Sequence, residues 1–262
     1  MNQFQTERRL CWSYGLTAFL LLVCVISLGI PYNHWKINLD RCPGSYLDNT
    51  NCGCILFGVS TSQYFNGGHH SNCLYAIIAP LPVVAYAIVM AIFHMYRVCI
   101  NNIGEYEDEK STAMEEIEGE SIVVTTRSRV THHNDSVIYC WIPNACIAAI
   151  LSIYTLVHAS IITHGFIRSC DQYRVHLVRT LPASGDHAAA IHFRLTCSAI
   201  FDFMDYLQKD QNSRRGEVIN TGASLQIAIV ASWLTVLILI GVCVMTSIRA
   251  YKERQVLTCC GN

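Results

Sequence analysis

Four long stretches almost free of charge decide what this chain can become. Residues 10–30, 139–165 and 223–248 contain no Asp, Glu, Lys or Arg, and residues 74–98 contain one, Arg97, near their end. A helix needs about 20 apolar residues to cross the hydrocarbon core of a bilayer. Backbone groups inside lipid must bond within their own segment, so each stretch is expected to be a helix. Four such helices inside a soluble protein would be apolar on every face, and 262 residues are too few to cover them. The composition follows from these runs: 14% of residues are charged, against about 25% in soluble domains.

The first run has the outline of a signal peptide, with Arg8 and Arg9 before it and the small residues Ser27 and Gly29 near its end. Its length exceeds the roughly 7–15 residues of a cleaved apolar region, so it is expected to stay as a helix. The fold class that follows is an all-α membrane protein. It is a four-transmembrane-helix bundle, with loops 31–73 and 166–222 on one side. The middle loop 99–138 and the tail 249–262 lie on the other.

Basic residues do not choose the sides, because the 18 Lys and Arg divide nine to nine. Seven of the nine on the loop side fall in one long loop, which the positive-inside rule discounts. The cysteines choose better. Cys42, Cys52, Cys54 and Cys73 share the first loop, and Cys170 and Cys197 share the third. Both counts are even, as a disulfide framework requires, and disulfides persist on the oxidising side of a membrane. Loops 31–73 and 166–222 are therefore read as extracellular or luminal, with both termini cytosolic, in the plasma membrane or the secretory pathway. The sequon Asn134-Asp135-Ser136 then faces the cytosol and is expected to be unglycosylated.

In the first loop, side chains alternate along an extended segment. Cys52 and Cys54 thus face the same way and are poor partners for each other. The expected bonds are Cys42–Cys52 and Cys54–Cys73, with Cys170–Cys197 in the third loop. The same loop holds His69 and His70, so Cys52, Cys54, Cys73 and the two histidines form a set of ligand types that suits zinc. Their spacing matches no familiar zinc finger, and disulfides are the preferred reading, with no metal and no cofactor.

The rest of the loops reads as a small cap. The segment "CILFGVSTSQYF" is rich in β-branched and aromatic residues and predicts short strands, with "NGG" as the turn that follows. The segment "HAAAIHFRLTCSAIFDFMDYLQK" predicts a helix in the third loop. On the other side, the acidic run at 105–120 reads as a solvated linker, with a docking segment for a basic partner as the functional alternative. Cys259 and Cys260, close to the end of the fourth span, are candidates for S-palmitoylation.

Within the spans, ionisable residues would mark function, and they are scarce. His158 is the one deep candidate, expected as a neutral imidazole bonded to a neighbouring helix. His94 and His164 lie near span ends, and Asn144 and Gln226 are neutral. Pro80 and Pro82 should kink the second span or delay its start. Ala223, Ser224, Ala228, Ala231 and Ser232 give the fourth span a face on which another helix can pack closely. Ala145, Ala148, Ala149 and Ser152 do the same on the third. Such faces serve either to close the bundle or to dock another protein. The chain shows no paired carboxylates, no serine–histidine–acid set and no phosphate loop. No enzyme, small-molecule substrate or nucleic-acid partner is expected.

"GCILFGVSTS" with Cys73 opening the second span, "HMYRVCI" closing it, a cysteine pair after the third span and "ASWLTVLILI" in the fourth together resemble the transmembrane protein 179 family. The resemblance implies a four-pass membrane protein with one first-loop disulfide, matching Cys54 and Cys73, and carries over no catalytic residue. Cys42 and Cys52 would be an extra pair, and the longer third loop and acidic middle loop depart from the family pattern. The function expected from the whole sequence is that of a non-enzymatic accessory, assembly or scaffolding subunit. It would bind other integral membrane proteins, an ion channel or receptor among them, within the lipid bilayer. The alternative is a pore-forming subunit of a homo-oligomeric channel or junction.

Overall fold

A computed structural model describes residues 3–39, 52–61, 64–99, 111–117, 120–126, 138–207 and 219–260. It is mainly helical. In chain order the elements are α1 (Gln3–Trp35), β1 (Cys54–Ser60), β2 (Phe65–Gly68), α2 (His70–Ile78) and α3 (Pro80–Cys99). They continue as β3 (Ser111–Ile117), β4 (Glu120–Thr126), α4 (Ile138–Thr180), α5 (Asp186–Phe193), α6 (Cys197–Leu207) and α7 (Thr221–Cys260). Four segments are long and apolar enough to cross a membrane: Phe4–Trp35, His70–Cys99, Trp141–Thr180 and Thr221–Lys252. They contain the first, second and fourth sequence-read runs, cover the third from Trp141, and extend past them. The first run is part of the bundle, since Leu10, Tyr14, Leu21, Cys24 and Leu28 are all buried.

The spans pack in the spatial order second, first, fourth, third. Helix α1 lies against both α3 and α7, and α7 lies against α4, whereas α3 and α4 meet sparsely. The small faces serve the bundle itself. Ala228, Ala231 and Ser232 are buried on α7 and Ala148 and Ser152 on α4, while Ala223 and Ser224 are half-buried. The Cys243 thiol reaches the Ala145 carbonyl across the α4–α7 seam.

The second span is broken at Ala79, between α2 and α3. The cause is Pro80, which has no N–H to give to the Ala76 carbonyl four residues back. His158 of α4 supplies the missing donor, its Nε2 2.9 Å from the Ala76 oxygen. The Tyr154 hydroxyl donates to the Ala79 carbonyl at 3.0 Å. A carbonyl stranded in lipid would cost several kcal/mol, so the imidazole repairs a proline break; the bond to a neighbouring helix was expected from sequence, the repair was not.

Helix α4 has 43 residues, which at about 1.5 Å each make roughly 65 Å, twice the ~30 Å core. Its polar half, with Arg168, Asp171, Arg174 and Arg179, projects beyond the apolar stretch and carries the cap. Strands β1 and β2 pair antiparallel, with an irregularity between Cys54 and Val59. Phe57 there has φ +61°, and the backbone groups released are taken by α4. The Ser169 hydroxyl accepts from Gly58 N–H at 2.8 Å and donates to the Ile55 carbonyl at 2.7 Å. Gly165 leaves the room, because a Cβ there would strike the Phe57 ring and Leu56.

Two expectations are corrected. The "NGG" segment is not the turn. Gly67 and Gly68 lie in β2, where a Cβ would collide with the carbonyls of Cys52 and Leu56, and the chain reverses earlier, with Thr61 N–H bonding the Tyr64 carbonyl. The acidic middle loop is not a plain linker. Strands β3 and β4 form a hairpin from Ser111 opposite Thr126 to Ile117 opposite Glu120. The β-branched run in "ESIVVTT" supplies the strand preference that the acid count masked. Residues 100–110 and the sequon Asn134-Asp135-Ser136 lie outside the described residues.

Candidate functional site

The two ends of the bundle hold their polar residues in different ways. At the loop end, Cys54–Cys73 joins β1 to α2, and Cys170–Cys197 joins α4 to α6, each with Cα atoms 5.5 Å apart. Cys52 is disulfide-bonded as well. Its expected partner, Cys42, lies outside the described residues. These bonds remove Cys52, Cys54 and Cys73 as metal ligands. The two histidines of the zinc alternative have protein partners: His69 Nδ1 accepts from Ser71 N–H and caps α2, and His70 bonds the Tyr32 hydroxyl at 2.7 Å. Among the described residues no group of three or more His, Cys, Asp or Glu is placed to hold a metal ion.

The third-loop helices close the cap. Ile200, Phe201 and Met204 bury one face of α6 in the same cluster as Trp35, Phe166, Tyr173 and Leu225. Asp205 accepts from both the N–H and the hydroxyl of Thr221 at the start of α7, and Trp35 Nε1–H donates to that hydroxyl at 2.8 Å. Burial pushes the Asp205 carboxyl above its usual range, and the Thr221 bonds pull it back. Helix α5 buries no residue, and Phe193 at its end is 88% exposed. Tyr206 on α6 is 72% exposed. The pinned cap therefore presents two aromatic side chains outward.

At the other end, a buried ion cluster joins the first and second spans. Glu7 is fully buried. Its carboxylate lies 2.8 Å from Arg97 Nη1 and 2.5 Å from His94 Nδ1. The Arg97 guanidinium balances the Glu7 carboxylate, and the His94 ring shares a hydrogen bond with it. That balance is what makes the burial tolerable. Tyr14, about two turns from Glu7 on the same face of α1, stacks on His94 with ring centroids 5.7 Å apart. The Tyr14 and Tyr86 hydroxyls both donate to Asn144 Oδ1, at 3.1 and 2.8 Å. Asn144 thus ties the third span to the first and second.

Beside this cluster, where α3 and α4 stand apart, lies a cavity of about 330 Å³. Its walls are Tyr86, Val89, Met90 and Phe93 from α3 and Trp141 and Ile147 from α4, with His94, Arg97 and Asn144 at the polar edge. Val89, Phe93 and Ile147 are exposed, so the cavity opens at the surface of the bundle. His94 Nε2 and Trp141 Nε1 are buried from solvent and have no hydrogen-bond partner among the described residues. Arg97 is not free to serve the cavity, being paired with Glu7 and set over the Phe93 ring, 5.7 Å from its centroid.

Sequence reasoning placed the two described disulfides and expected the His158 bond to a neighbouring helix, left the role of the small faces open, and missed this cluster. Glu7 lies outside the apolar run and reads as part of the tail. His94 and Arg97, three residues apart on one helical face, were the available signal. Cys259 and Cys260 close the backbone of α7. Comparison with known proteins finds no matching family model, no similar curated protein and no similar solved structure.

Proposed function

We propose that the chain is a non-enzymatic accessory or assembly subunit that binds another membrane protein through its cap. The termini are cytosolic, and the disulfide end is extracellular or luminal. The observation that carries this reading is the pinned cap itself. A short arm held by Cys170–Cys197 and by the Trp35–Thr221–Asp205 bonds turns Phe193 and Tyr206 outward. Rigid, exposed aromatic side chains are what central positions of protein interfaces use. The spans support a subunit role over a pore within one copy, because Leu21, Val83, Val84 and Leu239 fill the middle of the bundle. A pore would have to form between copies. Membership of the transmembrane protein 179 family belongs to the same proposal, with Cys54–Cys73 as the bond that matches the family pattern and the Cys52 bond as an addition to it. Lipidation of Cys259 or Cys260 would hold the tail at the membrane.

The test is purification of the full chain in gentle detergent, with the mass of the complex and its components determined. A second, stoichiometric membrane protein that is lost in the Phe193→Asp, Tyr206→Asp double variant supports the reading, provided the Cys170–Cys197 bond still forms. A discrete ring of this chain alone replaces it with the pore-forming alternative.

A further inference from the structure

The hairpin of the middle loop, between the second and third spans, takes no part in the proposed cap interaction. Strands β3 and β4 form a two-stranded antiparallel sheet by themselves. Among the described residues no helix packs closely on either strand. The outer side of each strand is therefore an open edge, with every second N–H and C=O pointing away from the partner strand. A lone two-stranded hairpin is marginal in water, and a third strand or a packed helix is what completes it.

The two edges differ in chemistry. Strand β4 reads "ESIVVTT", with a single acid, Glu120, at its turn end. Strand β3 reads "STAMEEI", with Glu115 and Glu116 at consecutive positions. Consecutive strand residues fall on opposite faces, so each face of the β3 edge has one acid near the turn. Neither strand contains Lys or Arg. In the register Glu115 stands opposite Ile122 and Glu116 opposite Ser121, so neither meets a cation within the sheet. Like charges across a strand pair are unfavourable and opposite charges favourable. Pairing with β3 of a second copy would bring acids of one sign to a single seam, which the edge disfavours. A strand with Lys or Arg near the turn end is what it accepts. We propose that β3 is a docking edge for an extended basic segment of a protein partner, which adds to the hairpin as a third strand. Main-chain bonds hold the segment, and Glu115 and Glu116 select its charge. This contact lies across the membrane from the cap and does not depend on it.

The test uses the full-length protein in nanodiscs of zwitterionic lipid, so that the bilayer itself does not attract a basic probe. The probe is a short valine–threonine peptide with two adjacent central lysines. Its controls are the same peptide with glutamates for the lysines, and the basic peptide N-methylated at adjacent residues, which keeps the charge and blocks strand pairing. Binding is read by fluorescence anisotropy and the contact by hydrogen exchange. The expected result is binding of the basic peptide alone, with exchange slowed in Ser111–Ile117. The Glu115→Gln, Glu116→Gln pair should weaken binding roughly threefold to thirtyfold. Glu120→Gln, on the other strand, should change it less than about twofold. In both variants, unchanged exchange over residues 111–126 without peptide reports that the hairpin still forms. Equal binding by the N-methylated peptide would mean that charge alone acts and no strand is added. That result, failure of the basic peptide to bind, protection confined to β4, or a loss from Glu120→Gln as large as that from the pair would each overturn the assignment. So would a dimer of the chain with β3 already protected in the absence of peptide, which would give the edge to a second copy.

Discussion

The bundle is closed at one end by sulfur and at the other by charge. At the loop end, Cys54–Cys73 and Cys170–Cys197 span 19 and 27 residues of chain and tie strands and short helices to the projecting half of α4. At the termini end, Glu7, His94 and Arg97 form one buried cluster, and Asn144 collects two tyrosine hydroxyls. The sulfur braces act mostly by restricting the unfolded chain. The ion cluster acts in the folded state and depends on every member being present. Short, loop-rich pieces gain from the first device. Helix ends near a membrane boundary, where a carboxylate can meet a guanidinium, gain from the second.

That contrast makes graded predictions. The largest effect belongs to Glu7→Ala, which leaves the half-buried Arg97 guanidinium without its partner. The expected loss is about 3–5 kcal/mol of unfolding free energy in mixed micelles, with hydrogen exchange rising first near the termini. Replacing Cys170 by Ser should cost about 2–4 kcal/mol. Exchange should rise in α5 and α6 while the Glu7 region stays protected. If both ends loosen together in either variant, the two devices are not independent and the comparison fails.

A smaller effect tests the proline repair. His158→Leu removes the donor to the Ala76 carbonyl, and about 1–3 kcal/mol should be lost. His158→Gln, which can still donate, should retain part of it. An equal loss in both variants would mean that the imidazole acts by packing alone. The smallest effect is expected at Asn144. Its Oδ1 accepts from both Tyr14 and Tyr86, so Tyr86→Phe alone should cost only about 0.5–1.5 kcal/mol. The Tyr14→Phe, Tyr86→Phe pair should then lose more than the sum of the two single variants, because only the pair strands the amide oxygen. Simple additivity in that cycle would show that the two bonds do not share one acceptor.

What could be read from sequence divides along the same line. The spans were legible because lipid imposes a length and an absence of charge that no packing can disguise. The disulfide end was legible because even cysteine counts in two loops leave few pairings, and Cys54–Cys73 and Cys170–Cys197 form as expected. The termini end was not legible. Glu7 is separated from His94 by 87 residues, and nothing local marks it as buried rather than solvated beside Arg8 and Arg9. The cavity was hidden for a related reason. Which spans neighbour each other is decided by packing, and the sparse contact between α3 and α4 has no counterpart in either helix's own sequence. Gly67 and Gly68 show a third kind of limit. A glycine pair signals a turn or a close approach equally well, and here it is the approach of Cys52 and Leu56 that requires it.

The account rests on the two ends facing different compartments, and topology tests that most directly. Epitope tags at each terminus and within residues 208–218 would be probed in intact and in permeabilised cells, with non-reducing peptide mapping of the same protein. The account predicts that the loop tag is reached without reaching the cytosol, whether at the cell surface or in the lumen of sealed vesicles. Both terminal tags should be reached only from the cytosolic side, with Cys54–Cys73 and Cys170–Cys197 oxidised. Terminal tags on the same side as glycan at Asn134, with the loop cysteines reduced, would contradict it.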